Sequence, residues 1–515
     1  MATGGARPGS LTPRRRRRRT SAIAGDDAGE EVEQPRQEGD RISLLPDEVI
    51  HHILSFLPTA DVFRTRGLSS GWRVLHDAVP TLAFSLPGGG GGGAGRRGPA
   101  EAAEQFCAFV DAVLRLSRCT HLARFHLDLP YFTPELESKF ESWLSSATAC
   151  HVKDLRVELP RTEFLYAVPR LVRDCTSLVE LRLCGGRMGL KLPGRAPNWA
   201  SLRVLSMAYL RLTDDEMGLV FVGSPALESL ELRCCGGVAR IKVLSRRMRE
   251  LVIDGWKHWS PGDPRLEVSA PHLQTLRLRG SFPRMSLTVA EASSVAEAEL
   301  NFSMTIGDRF DNYKWPRNLA RGILQKLCNA TEFVVGCWFL QVLSLLENGD
   351  LPPLLPNCKS LILNTRCQSW ECHGILNMIE ISPQVEKLVI KMIQPFWKRL
   401  EFDKDCKALA ISTHRYSGPL KRKNKLKCLD QHLRRVNIVR FDPRDPRSSS
   451  FLGLVEFILE EARVLDKMLI NTCKVKADGS NSVETPNARK LLELSQSILH
   501  HRRASKNARV VLYFD

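Results

Sequence analysis

Residues 226–235 read ALESLELRCC, and their spacing decides the fold. Leu227, Leu230 and Leu232 are apolar, with Glu228, Ser229, Glu231 and Arg233 between and beside them. Leu230 and Leu232 stand two apart, which in a strand puts both side chains on one face. Leu227 fills the turn that precedes them. The same apolar-x-x-apolar-x-apolar unit recurs on the N-terminal side at Leu202/Leu205/Met207, Leu178/Leu181/Leu183, Val152/Leu155/Val157 and Leu122/Phe125/Leu127. On the C-terminal side it recurs at Met248/Leu251/Ile253 and Leu273/Leu276/Leu278. Weaker copies follow at Val295/Ala298/Leu300, Cys358/Leu361/Leu363 and Val385/Leu388/Ile390.

From Leu205 to Leu230 is 25 residues and from Leu230 to Leu251 is 21, within the period of about 20–29 residues of leucine-rich repeats. One unit cannot bury its apolar face alone, whereas stacked units build a continuous core and a parallel sheet. Cys235, three past Leu232, falls where such repeats place an inward Asn or Cys. The spacing predicts an α/β repeat solenoid over residues 101–405.

The flanking segments are of other kinds. In residues 40–86, Val49/Ile50, Ile53/Leu54 and Leu57 share one helix face. Pro46 opens that helix, Asp47 and Glu48 suit its positive end, and Pro58 closes it. Thr59 is placed to cap a second short helix through Val62 and Phe63, and Ser69 or Ser70 a third containing Trp72. Three short helices leave large apolar side chains exposed, so this unit needs a partner. Residues 87–100, with an all-glycine run from Gly88 to Gly93, read as a linker. A helix with Phe106, Phe109, Val110, Val113 and Leu114 on one face follows. Residues 425–515 predict a strand at Leu433–Phe441, an amphipathic helix over Phe451–Ile470 and a closing strand at Arg509–Phe514, together a cap on the solenoid's open end.

Composition narrows the function. The chain has 515 residues, 43% of them hydrophobic and 25% charged, the make-up of a globular protein of several domains or one long array. Its longest apolar stretch, Phe333 to Leu346, is short of the roughly 20 residues that cross a bilayer. An arginine block occupies Arg14–Arg19, where a secretory signal would need an apolar core. The expected location is therefore intracellular, nucleus or cytoplasm, and the 15 cysteines are expected as free thiols. The sequons at Asn301 and Asn329 are then inert. The net charge of +17 invites nucleic acid. Yet much of the excess lies in Arg14–Arg19, inside the core-poor tail of residues 1–39, and in Lys421, Arg422, Lys423, Lys425 and Lys427. Neither cluster has aromatic residues among its cations, so base stacking has no platform.

The stretch LLPDEVIHHILSFLPTADVFRTRGLSSGWRVL, which starts at Leu44, resembles the F-box. It has the Leu-Pro start, the Ile-Leu pair, the Leu-Pro helix end and the late Ser…Trp-Arg. The repeats and the C-terminal pattern, FLGLVEFILEEARVLDKMLI above all, are similar to plant F-box/leucine-rich-repeat proteins with an FBD-like tail. The chain departs from that pattern at Gly71, where a basic residue is usual, and at Asp442-Pro443, where a glycine is expected. The resemblance implies the substrate-recognition subunit of a cullin-RING ubiquitin ligase, without catalytic residues, cofactor or metal of its own. It implies that Leu45, Pro46, Ile50, Ile53, Leu54, Leu57, Leu68 and Trp72 face a Skp-family adaptor, which brings cullin and RING subunits. Some of the eight must instead fill the unit's own core. The repeats would hold the target protein. The alternative is a repeat scaffold outside any ligase.

Several motifs imitate chemistry. Gly67-Leu68-Ser69-Ser70-Gly71 matches a nucleophile elbow, but that elbow needs a strand before it, and here a helix precedes. The glycine run satisfies a dinucleotide fingerprint without the βαβ unit around it. Cys367, Cys372 and His373 lack the second pair a zinc site wants. His51 and His52 lie on a solvated helix side.

Overall fold

A computed structural model describes residues 45–65, 79–87, 98–117, 120–160, 167–185, 189–192, 194–257, 264–290, 292–304, 314–346, 354–366, 368–393, 425–441, 448–472 and 488–514. Leu68, Trp72, the elbow-like motif, the glycine run, both basic clusters up to Lys423, Cys367 and Asp442-Pro443 lie outside them. From Asp47 onward the chain is one unit, in which the described residues build a parallel sheet of 15 strands.

The main-sheet strands are β1 (Thr81–Ser85), β2 (Arg124–Asp128), β3 (Asp154–Glu158), β4 (Glu180–Cys184), β5 (Val204–Ala208), β6 (Ser229–Gly236), β8 (Glu250–Lys257), β10 (Thr275–Phe282), β12 (Glu297–Met304), β13 (Glu332–Val335), β14 (Ser360–Thr365), β15 (Lys387–Met392), β16 (Arg435–Phe441), β17 (Lys467–Thr472) and β18 (Arg509–Phe514). Three more, β7 (Arg240–Leu244), β9 (Arg265–Ser269) and β11 (Ser286–Ala290), form a second parallel sheet. The helices are α1 (Asp47–Leu54), α2 (Thr59–Thr65), α3 (Pro99–Leu116), α4 (Pro134–Ala149), α5 (Arg170–Arg173), α6 (Asp214–Gly223), α7 (Lys314–Lys326), α8 (Cys337–Ser344), α9 (Ser369–Ile381), α10 (Lys427–Gln431), α11 (Ser448–Glu461) and α12 (Ala488–His500).

Register stacks equivalent residues in columns. One core column pairs Phe125, Leu155, Leu181, Leu205 and Leu230 in turn, and a second pairs Leu127, Val157, Leu183, Met207 and Leu232. All are buried. Each residue between the two columns therefore points to the sheet's other, outer face.

Two kinds of return segment cover the core. Crossing from one strand to the next takes ten helical residues in α6 but five extended ones in β7, β9 or β11. Both spans are about 15–16 Å, because a strand rises about 3.3 Å per residue and a helix 1.5 Å. Either can serve a step of the same length: Leu205 to Leu230 and Leu251 to Leu276 are both 25 residues, yet the first carries α6 and the second β9. Local polar bonds fix these returns. Thr213 and Glu216 form a capping box on α6, Asp214 accepts from the backbone of Ala239 and Arg240, and Trp256 Nε1 donates to the Val238 carbonyl. Gly280, in β10, has φ +80°, and a Cβ there would sit 2.9 Å from Asp254 Oδ1 and from the Gly255 nitrogen.

The sheet extends beyond the expected repeats at both ends. Residues 81–85, inside the segment read as F-box, form β1, which pairs with β2. The Thr59 hydroxyl at the start of α2 accepts from the Ala83 nitrogen at 2.6 Å, and Phe63 packs edge-on against Phe109 of α3. In residues 425–515, β16, β17 and β18 carry on the main sheet in register from β15. The expected helix over Phe451–Ile470 is corrected: α11 stops at Glu461, and Lys467–Thr472 is β17. Leu465, Met468 and Ile470 satisfy helix spacing, but they also fit the repeat unit, and pairing on both sides decides for the strand.

Candidate functional site

Two surfaces stand out. The first is the helical start. Among the eight residues implied to face an adaptor, Ile50 and Leu54 are buried, so they fill the unit's own core. Ile53 and Leu57 are about two-fifths exposed, at 42% and 39%. Pro46 is exposed and Leu45 half-buried. Two neighbours outside that set are exposed as well, Val49 and Phe56, the latter at 75%. Both were legible in the sequence as apolar residues flanking the buried pair, yet periodicity alone does not tell which side of a short helix the core takes. A groove of about 820 Å³ opens beside this patch, between Phe56, Leu57 and Pro58 on one side and Phe84, Phe106 and Phe109 on the other.

The second surface is the outer face of the main sheet. On its first strands it is a ladder of ion pairs. Arg124 meets Asp154 at 2.9 Å, Arg156 bridges Asp154 and Glu180 at 3.3 and 3.2 Å, and Arg182 also bonds Glu180. Further along, Arg277 joins Glu250 at 2.7 Å to Glu297 at 3.0 Å, and Arg279 meets Glu299. Opposite charges on adjacent strands neutralise one another and leave little field for a partner. The hydrogen bond that Arg279 donates to Glu299 raises the guanidinium's pKa, against partial burial that lowers it.

From β13 on, the outer face changes. Its middle row becomes Val334, Ile362, Val389, Asn437, Leu469 and Val511, each paired with the next. The row at the strand starts becomes Lys387, Arg435, Lys467 and Arg509. A pocket of about 410 Å³ marks the change of character, lined by Arg277, Arg279, Glu299, Asn301, Asn364 and Lys391 among others.

Among the described residues no cysteine is in a disulfide. Burial pushes the thiols of Cys235, Cys358, Cys372 and Cys428 up to about 12 and raises Cys337 as well. A thiol so protonated is a poor nucleophile or ligand. Cys372 lies buried on α9 beside half-buried His373, and no group of three metal-ligating side chains occurs among the described residues. No helix among the described residues is long and apolar enough to cross a membrane.

Comparison with known proteins agrees with this division. The family model for the F-box domain matches residues 42–75. The model described as FBD-associated F-box protein At5g56370, LRR repeats, matches residues 140–297. Among curated relatives, F-box/LRR-repeat protein At5g02910 of Arabidopsis thaliana is 29% identical over 361 residues, 69% of this chain and 72% of the relative. F-box/LRR-repeat protein At3g03360 of the same plant is 29% identical over 364 residues, 69% of this chain and 71% of the relative.

Proposed function

We propose, from the F-box and leucine-rich-repeat architecture this chain shares with its Arabidopsis relatives, that it is the target-selecting subunit of a cullin-RING ubiquitin ligase. The observation that carries the reading is the exposed apolar patch of Val49 and Ile53 on α1 and Phe56 and Leu57 in the turn that follows it. Burying such side chains contributes about 1.5–3 kcal/mol each, enough for a Skp-family adaptor to hold the unit. The adaptor would bring cullin and RING subunits, and the sheet would hold the target. The chain itself then performs no chemistry. It raises the effective concentration of a target lysine near the charged enzyme.

Co-purification with a Skp-family adaptor tests this. Ile53→Asp with Leu57→Asp should weaken adaptor binding by about tenfold or more and leave the unfolding midpoint unchanged, because both side chains are exposed. Ile50→Ala should instead cost about 2–4 kcal/mol of F-box stability. Wild-type adaptor affinity in the double variant would sink the assignment. Absence of adaptor binding by the wild type would favour a repeat scaffold outside any ligase.

A further inference from the structure

The outer face of β14–β18 differs from the rest of the sheet in a way that folding does not require. Lys387, Arg435, Lys467 and Arg509 stand opposite one another on four consecutive strands, and all four are exposed. Adjacent strands lie about 4.8 Å apart, so the row places four cations in about 14 Å. Like charges directly opposite are destabilising. On the earlier strands like charges also stand opposite, Arg156 to Arg182 and Asp154 to Glu180, but the basic and acidic rows lie side by side and pair with one another. Here the cationic row has no acidic row beside it. Among the described residues none of the four has an ion-pair partner, and the nearby Asp466 reaches Arg434 instead, at 3.8 Å.

Two residues further along each strand is a second rail, Val389, Asn437, Leu469 and Val511. Val389 is buried without belonging to the hydrophobic core, and Leu469 and Val511 are half-buried. The half-exposed Tyr513 stands at the far end of β18. A cationic rail beside one that is aliphatic at three of its four positions is the complement of an extended chain with carboxylates along one edge and apolar side chains along the other.

We propose that this face docks an acidic, amphipathic peptide segment of the target protein. The occupant is set by charge complementarity. About four extended residues span the 14 Å of the cationic row, which makes the matching feature a short Asp/Glu-rich run with interspersed aliphatic residues. Nucleic acid matches the charge but not the second rail, whose Val389, Asn437, Leu469 and Val511 offer no stacking plane. The proposal rests on the ligase reading only in calling the bound protein a target.

The test uses the full chain and a labelled, capped peptide alternating glutamate with leucine, followed by fluorescence anisotropy. The wild type should bind it, and added salt should weaken the complex. Lys387→Glu with Lys467→Glu should lower the affinity by about tenfold or more. The same variant should prefer a lysine–leucine peptide. Relief of like-charge repulsion leaves the thermal midpoint unchanged or higher, and Lys387→Gln with Lys467→Gln should fall between the two. Equal affinity in wild type and variant, or no binding by the wild type, overturns the proposal. So does tighter binding of a single-stranded oligothymidine that the same substitutions abolish. Adaptor co-purification of the variants is read in parallel. Its failure in the wild type would overturn the ligase reading without touching the peptide affinities.

Discussion

Glu371 is a carboxyl group in α9 with no exposed surface, and how it is tolerated is a residue-scale question. Its Oε1 accepts from Gln341 Nε2 on α8 at 2.7 Å, and its Oε2 accepts from the Thr365 hydroxyl at 2.7 Å and the Arg366 nitrogen at 2.8 Å. Burial pushes its pKa up, and these three bonds only partly offset the shift. The folded state thus prefers the protonated acid more than the unfolded chain does. Stability from this site is full below the ordinary value of 4.5 and falls as pH rises through the elevated folded value. Glu371→Gln should remove that slope. Gln341 Oε1 has no partner among the described residues, so the Gln341 amide can flip and accept from the new side-chain nitrogen while the new oxygen keeps Thr365 and Arg366. Urea unfolding from pH 4 to 8 should show a flatter profile for Glu371→Gln, with stability near neutrality within about 1 kcal/mol of wild type. Glu371→Ala leaves three donors unpaired and should cost about 3 kcal/mol. An unchanged pH slope in Glu371→Gln would refute the assignment.

At the scale of elements, two helical glycines make opposite predictions. Gly374 lies in α9 where it crosses α8, and a Cβ there would sit 1.9 Å from the Leu340 carbonyl oxygen. Alanine gains about 1 kcal/mol of helix propensity, but the helices must separate to admit it. Gly374→Ala should therefore cost about 2–3 kcal/mol, as overpacking does. Gly218 in α6 has nothing within 4 Å of that position, so Gly218→Ala should stabilise by about 0.5–1 kcal/mol. Denaturant midpoints compare the two directly. Nothing in the sequence separates these glycines, since the difference lies in what crosses the helix. Strand positions were far more legible. The repeat rule found the main-sheet strands β2 to β6, β8, β10, β12, β14 and β15, each with at least one leucine or a like aliphatic residue at its core positions. Val79/Leu82/Phe84, Ala330/Phe333/Val335, Leu433/Val436/Ile438 and Leu465/Met468/Ile470 obey the same spacing with less typical residues and belong to the same sheet. The second sheet of β7, β9 and β11 left no consistent trace in repeat length, since the Leu251–Leu276 step that carries β9 is as long as the Leu205–Leu230 step that carries α6. The outer face escaped sequence reading for a different reason. Lys387, Arg435, Lys467 and Arg509 are spread over more than a hundred residues, and only register makes them neighbours.

Across the whole molecule, a solenoid binds each repeat mainly to its neighbours, so the cost of losing an end depends on where the cut falls. The F-box helices lean on β1 through Thr59 and Phe63, while β1 itself is a full member of the sheet. A chain beginning at Val79 would lose the helices but keep Leu82, Phe84 and Leu86, which are buried against the next repeat. It gives up the hydrogen bond to Ala83 and a cover for Phe109, which costs about 1–3 kcal/mol. A chain beginning at Pro87 removes those three apolar side chains too, each contributing about 1.5–3 kcal/mol, and turns β2 into an exposed edge. The first truncation should remain folded and monomeric by size-exclusion chromatography, with a modest fall in its urea midpoint. The second should unfold several kcal/mol more easily and associate through β2. The same pair separates structure from function. If the sheet holds the target and the F-box holds the ligase, the chain from Val79 keeps its target peptide affinity, loses the adaptor, and protects the target in cells instead of promoting its turnover. Continued turnover with that truncation would place ligase recruitment elsewhere on the chain.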